Sequence, residues 1–302
     1  MSLSAEQLDS YDRDGYLVVR DHLDRESVTR WCDRLVEIVS GQAERSKRML
    51  VMKDVMVAKG AVAPHSDIEA IAKVQDFEGD PVLDTYPHDE RVLEVVQQLI
   101  GDELMSIHTM LINKPPNVDG RHPLHQDLLY FPFRPADKIA ASWTALEPVN
   151  RDNGCLVAVP GSHRGELRRH GRPNWEYVNR AYLGAVGSEI DELIARRAHL
   201  EMNPGDTVFF HPLLLHGSGR NRTGRFRRAI SAHYSSTNVT WEWAGGDLGR
   251  PYRIVTGPRQ GELWDGPRNT DTPINPLDYI ADNPEELIRV GKANAERGGA
   301  KS

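Results

Sequence analysis

The sequence predicts a mostly-β barrel covered by helices, or an α+β arrangement of the same parts. Three observations predict it. Helical periodicity is gathered ahead of about residue 105, and short β-type runs crowd the stretch from Ser106 to about 245. Strands and helices do not alternate, so a doubly wound parallel sheet is not expected. The 302 residues suffice for one large domain with a sizeable core. We read them as a single unit: an N-terminal helical part over about 1–105, a barrel over about 106–245 and a C-terminal extension over about 246–302.

Each element follows from local chemistry. SAEQLDSYDRDG starts a helix with Ser4 as N-cap, and YLVVR at 16–20 is a strand. RESVTRWCDRLVEIVSGQAERSKR carries Val28, Trp31, Leu35 and Ile38 at helical spacing, with Asp24 as its cap. Ser66 and Glu69 make a capping-box pattern ahead of IAKV, so a helix is expected there. RVLEVVQQLIG at 91–101 is a further helix with Gly101 just past its end. From Ser106 the β-type runs are MSIHTMLINKPP, KIAASWTAL, CLVAVPGS, DTVFFHP and RAISAHYSS. The turn sequences PPNVDG, NRDNG, NPGD and GSGRNRTG separate them. In the tail, PINPLDYI is expected to pack on the barrel, and ADNPEELIRVGKANAERGG is expected to be a fraying helix.

Composition narrows the function classes. A formal net charge of -7 argues against nucleic acid as a partner. No apolar run approaches the roughly 18 residues that span a bilayer, so no membrane partner is expected. The start lacks a signal-peptide layout, and the last residues GGAKS differ from the SKL address. Cys32 and Cys155 form no motif. A reducing cytoplasm is therefore the expected compartment. Twelve histidines justify a search for a metal site.

His-x-Asp occurs three times, as His22-Leu-Asp24, His65-Ser-Asp67 and His125-Gln-Asp127. The first two stand at helix starts, where the aspartate has a capping task. The third lies in RHPLHQDLLYFPFRP, which reads as extended. Residues i and i+2 of a strand point to one face, so His125 and Asp127 can grip one ion. DTVFFHPLLLHGSG offers a third ligand. His211 and His216 lie five apart around Pro212; His216 is chosen because GSG follows it, and His211 is read as a core histidine. Two histidines and one carboxylate form the facial triad of non-haem Fe(II) oxygenases. Such an iron needs a co-substrate. An arginine fork at 227 or 228 suits one end of a dicarboxylate, and the two side chains should point to opposite faces.

The motifs KVQDF (73–77), HTMLINKPP (108–116), RHPLHQDLLYFPFRP (121–135), WTALE (143–147), NGCLVAVPGSH (153–163), GDTVFFHPLLLHGSG (205–219) and FRRAIS (226–231) together resemble the phytanoyl-CoA dioxygenase family. They cover most of residues 66–235 in the family's order. The resemblance implies a double-stranded β-helix, a cupin-like jelly-roll barrel. It implies His125, Asp127 and His216 as iron ligands, and Arg227 and Ser218 as the residues that hold the far carboxylate of 2-oxoglutarate, so Arg227 is taken over Arg228. It further implies Lys73, Met110 and Trp143 as lining of that co-substrate pocket. The implied cofactors are Fe(II), 2-oxoglutarate and O2. The implied reaction is hydroxylation of an aliphatic carbon, the 2-position of a phytanoyl-CoA-like acyl-CoA, with release of succinate and CO2. A carboxylate at 127, in place of the small residue of related halogenases, implies hydroxylation.

The resemblance thins over 164–200, where Arg164, Arg168, Arg169 and Arg172 form a basic run. It reads either as a solvated loop or as a site for coenzyme A phosphates. Three alternatives are carried beside the acyl-CoA reading. One is a hydroxylase of a small free metabolite or natural product. The others are a non-catalytic barrel binding protein and a zinc hydrolase using the same three ligands.

Overall fold

The computed structural model describes residues 2–116, 118–173, 182–244 and 252–281. The helix α1 (Ala5–Asp14) leads into β1 (Tyr16–Val19), α2 (Arg25–Ser40), β2 (Leu50–Lys53), α3 (Val55–Ala58), β3 (Ile71–Gln75) and α4 (Glu90–Ile100). Then come β4 (Leu104–Lys114), β5 (His122–His125), β6 (Phe133–Arg134), β7 (Ile139–Ala145), β8 (Leu156–Ala158), β9 (His170–Gly171) and β10 (Gly184–Ala185). The remaining elements are α5 (Ile190–Ala195), β11 (Ala198–Leu200), β12 (Thr207–Phe210), β13 (His216–Ser218), β14 (Arg227–Ser236), β15 (Thr240–Trp241) and β16 (Arg253–Ile254).

The helix starts obey the capping chemistry in the sequence. Ser4 and Gln7 form a reciprocal capping box at α1, and the Asp24 carboxylate accepts from the Ser27 amide at 2.7 Å at the head of α2. The box expected at Ser66 does not form. Ser66 makes no side-chain cap, the Glu69 carboxylate instead accepts from the His65 amide, and only a 3-10 turn over Asp67–Ala70 results. IAKVQ is the strand β3 rather than a helix, because it pairs on both sides, with β2 and β4. Asp76, at φ 53°, ends it in the left-handed region.

Antiparallel pairing builds two main sheets, beside the two-stranded pairs β9-β10 and β6-β15. The larger has eight strands in the order β1-β12-β7-β14-β4-β3-β2, with β16 also on β4. The smaller has the order β11-β8-β13-β5. The outer face of the large sheet is covered by Trp31, Leu35 and Ile38 of α2 and by Val92, Val95 and Val96 of α4. Each such buried side chain contributes about 1.5–3 kcal/mol. Between the sheets, Trp143, Ala145, Phe210 and Ala229 of the large one meet Leu156, Ala158 and Leu200 of the small one. The fold is therefore the mostly-β, double-stranded arrangement expected, and its interior face carries the chemistry. PINPLDYI packs as expected: Ile280 is buried against Leu129 and Leu183. The expected terminal helix lies almost wholly outside the described residues. No helix among the described residues is long and apolar enough to cross a membrane.

Candidate active site

The alternation of β4 and β14 decides what faces the interior. On β14 that face presents Arg227, Ala229, Ser231 and His233; on β4 it presents His108, Met110, Ile112 and Lys114. The small sheet supplies the opposite wall.

There, β13 pairs with β5 so that His216 stands opposite His125, and their rings lie 4.3 Å apart. Asp127 is not on the strand. It opens a 3-10 turn over Asp127–Tyr130. The backbone stays extended through Gln126, at φ -119° and ψ 124°, so the expected same-side relation survives. Ligand atoms of His125, Asp127 and His216 all lie within 4.8 Å of one another, and all three residues are buried. Gly217 serves the wall rather than a ligand: a Cβ there would meet the carbonyl oxygens of His122 and Pro123 at 2.7 and 2.9 Å.

The protonation pattern tests whether a metal fits. The Nδ1–H groups of His125 and His216 donate to the carbonyls of Pro123 and Leu214 at 2.9 and 3.0 Å. That leaves both Nε2 atoms facing the same oxygen, Asp127 Oδ1, at 3.2 and 3.7 Å. Burial pushes the pKa of His216 down to about 4, so it is neutral at pH 7. Burial disfavours the Asp127 charge too, but His216, His233 and hydrogen bonds hold its carboxyl well below the usual range. Two imidazole nitrogens and a carboxylate oxygen converging on one point fit a divalent cation. The other carboxylate oxygen is taken: His233 Nε2 lies 2.9 Å from Asp127 Oδ2.

The loop carrying the ligands is braced. The Gln126 amide N–H donates to His170 Nε2, and the buried Gln126 side chain bonds Arg168 N and the Leu213 carbonyl. His211 stands apart from the cluster as expected, half-buried beside His163 with its Nδ1 accepting from the Leu213 amide.

Next to the metal cluster lies a cationic pocket. Arg227 is 1% exposed, sits over Trp143 at 5.6 Å, and has Nε and Nη1 without hydrogen-bond partners. Burial lowers its pKa to about 10. Arg228 points the other way, to Asn113 and Glu147. Lys114 is opposite Arg227 on β4, buried, and donates to Ser218 Oγ at 2.9 Å and to the Gly219 carbonyl. Lys73 lies over the Tyr182 ring at 5.3 Å, and Tyr182 packs on His122, which stacks on His125 at 4.0 Å. Met110 faces the same interior from β4, paired with Ser231. Thus Arg227 packs on Trp143, Ser218 lies two residues along β13 from His216 and bonds Lys114, Lys73 reaches the His122–His125 stack through Tyr182, and Met110 shares the inward face of β4. Sequence reasoning missed Lys114, His122, His233, Gln126 and Tyr182. For His233 the signal was present, because the alternation that puts Arg227 inward continues to it.

The basic run scatters. Arg164 donates to the Asp12 carbonyl at the end of α1, Arg168 is ion-paired with Glu189, and Arg169 reaches the Ile280 carbonyl.

Comparison with known proteins agrees with this geometry. Residues 11–229 match the family described as Phytanoyl-CoA dioxygenase (PhyH). A probable phytanoyl-CoA dioxygenase of Caenorhabditis elegans is 48% identical over 244 residues, 78% of this chain and 77% of that protein. The human peroxisomal phytanoyl-CoA dioxygenase is 43% identical over 240 residues, 78% of this chain and 69% of that one. Among solved structures, EctD from S. alaskensis superposes with TM-score 0.65 at 21% identity, covering 88% of both chains, which shows the shared fold. With most of its length matched at such identity, the chain belongs to the phytanoyl-CoA dioxygenase family.

Proposed function

We propose that this protein is an Fe(II)- and 2-oxoglutarate-dependent dioxygenase that hydroxylates a phytanoyl-CoA-like acyl-CoA at carbon 2, releasing succinate and CO2. The observation that carries it is the adjacency of two features. One is a buried His125–Asp127–His216 cluster whose ligand atoms converge. The other is the pair Arg227 and Lys114, which face each other across β14 and β4 with no ion-pair partner among the described residues. When bound, iron and 2-oxoglutarate activate oxygen for hydrogen abstraction and hydroxyl return.

The chain's own groups do the rest. His125, Asp127 and His216 would hold the metal, three ligands of the kind that suit Fe(II) in oxygenases. Arg227 and Ser218 bind the far carboxylate of 2-oxoglutarate, and Trp143, Met110 and Lys73 line the pocket around its chain. Asp127 and His233 share one carboxylate between metal and hydrogen bond, which fixes the orientation of the ligand oxygen. The whole chain is read as one working unit, and the cytoplasm as its compartment, on the strength of two free cysteines. The rat and human relatives carry "peroxisomal" in their names, so cell fractionation is the check on compartment.

The substrate reading leans on the relatives' names and on 43–48% identity. The arginine run supports it less than the sequence promised, since Arg164 and Arg168 already have partners. A hydroxylase of a small free metabolite is the second reading. It is favoured by the likeness in fold to EctD, whose structure was solved with 2-oxoglutarate and 5-hydroxyectoine. The test compares phytanoyl-CoA, phytanic acid and a panel of small metabolites for stimulated succinate release, with iron and then with zinc. Stimulation by the thioester with iron alone is expected. Stimulation only by a free metabolite would overturn the acyl-CoA assignment, and zinc-supported turnover without succinate would overturn the oxygenase reading.

A further inference from the structure

We propose that Lys114 is a positioning residue for the co-substrate: it forces the Ser218 hydroxyl to act as a hydrogen-bond donor toward the far carboxylate of 2-oxoglutarate. The proposal rests on the co-substrate reading above and adds a residue to it.

The geometry starts from the pairing of β4 with β14, which sets Lys114 directly opposite Arg227. Both are inside the fold, at 4% and 1% exposure. Two cations facing each other in a dry interior are unfavourable, and neither has an ion-pair partner among the described residues. The carboxylates that line the adjoining cavity with Lys114 are committed elsewhere. Asp119 is held by Arg121 and Arg220, and Asp54 caps α3 through the Met56 amide. A cation pair with no ion-pair partner at this depth is suited to receive an anion.

Lys114 then sets polarity. Its Nζ lies 2.9 Å from Ser218 Oγ and also donates to the Gly219 carbonyl. An ammonium has three donors and no lone pair, so Ser218 must accept from it. The hydroxyl hydrogen is thereby released to point at another acceptor. Arg227, with Nε and Nη1 unpartnered, presents its donors to the same pocket. Burial and the Arg227 charge both push the Lys114 pKa below its usual range, and a carboxylate arriving in the pocket opposes that push.

The test is a double-mutant cycle on binding, with manganese(II) replacing iron so that no turnover occurs. Dissociation constants are measured for 2-oxoglutarate and for 2-oxobutyrate, which keeps the 2-oxo acid head but lacks the far carboxylate. Lys114→Met is expected to weaken 2-oxoglutarate by about 10- to 100-fold, as for loss of a hydrogen bond to a charged group, and to leave 2-oxobutyrate within about 3-fold. In a Ser218→Ala background the same substitution should change 2-oxoglutarate binding by about 3-fold or less, because the hydroxyl it acts through is gone. Equal losses for both acids, or an undiminished loss in the Ser218→Ala background, would overturn the proposal while leaving the co-substrate reading intact. A wild-type protein that binds no 2-oxoglutarate would overturn that reading and this proposal with it. Should Lys114→Met fail to fold, Lys114→Gln is read by the same cycle and the same outcomes.

Discussion

Replacing Arg227 by methionine separates binding from stability in a way that only this geometry explains. Arg227 has two nitrogens free of partners and is 1% exposed, so a carboxylate in the pocket gains a charge-assisted bidentate contact in a dry site. Hydrogen bonds to charged groups are each worth about 1.5–3 kcal/mol, and a fork that loses both contacts loses about 2–4 kcal/mol of binding once side-chain ordering is counted. At about 1.4 kcal/mol per decade this is roughly a 30- to 1000-fold rise in the 2-oxoglutarate requirement. The metal-free, ligand-free protein should not suffer, because the substitution removes a buried charge that has no counter-ion. Arg228→Ala is the control. Its guanidinium serves Asn113 and Glu147, so its loss should cost about 1–3 kcal/mol of stability and leave co-substrate binding within a few fold. The assay pairs titration of 2-oxoglutarate under anaerobic conditions with thermal unfolding of the same samples. A reversed pattern, with Arg228 controlling binding and Arg227 controlling stability, would refute the assigned roles of both arginines.

Other outcomes follow from the same site. Asp127→Ala or His216→Ala should lose iron affinity and succinate release together, and full activity in either at ordinary iron concentration would reject this triad. His233→Ala should weaken metal binding by about 10- to 100-fold, read by competition with a chelator, because Asp127 loses the partner that aims its free oxygen; His233→Gln should recover part of it. The metal-free protein should lose stability as the pH falls from about 6.5 toward 4. Burial lowers the pKa values of His22, His170 and His211 to about 4, so in that window the unfolded chain binds protons that the fold excludes. Melting temperatures that stay flat or rise over that interval would contradict the burial of these rings.

How much of this was legible beforehand follows the range of the forces involved. Caps at Ser4 and Asp24 are contacts within three residues, so composition and order carry them. The same locality misled at Ser66, where a capping pattern lost to the pairing of IAKVQ with two distant strands. His125 and Asp127 were readable as a pair because an extended backbone puts i and i+2 on one side, and that held even though Asp127 begins a turn. The inward face of β14 was readable in principle through Arg227 and on to His233, since alternation has a fixed period of two.

What the sequence by itself determined, then, is each element's pattern of faces and the set of side chains with metal- and carboxylate-binding chemistry. Tertiary structure alone decided which faces meet. His216 reaches His125 only because β13 lies beside β5, and Lys114 confronts Arg227 only because β4 registers against β14. The physical reason is that pairing between strands far apart in the chain is selected by burial of whole faces, a sum over many residues that no local pattern contains. The buried charges and unpartnered nitrogens around Arg227 and Lys114 exist only after that selection.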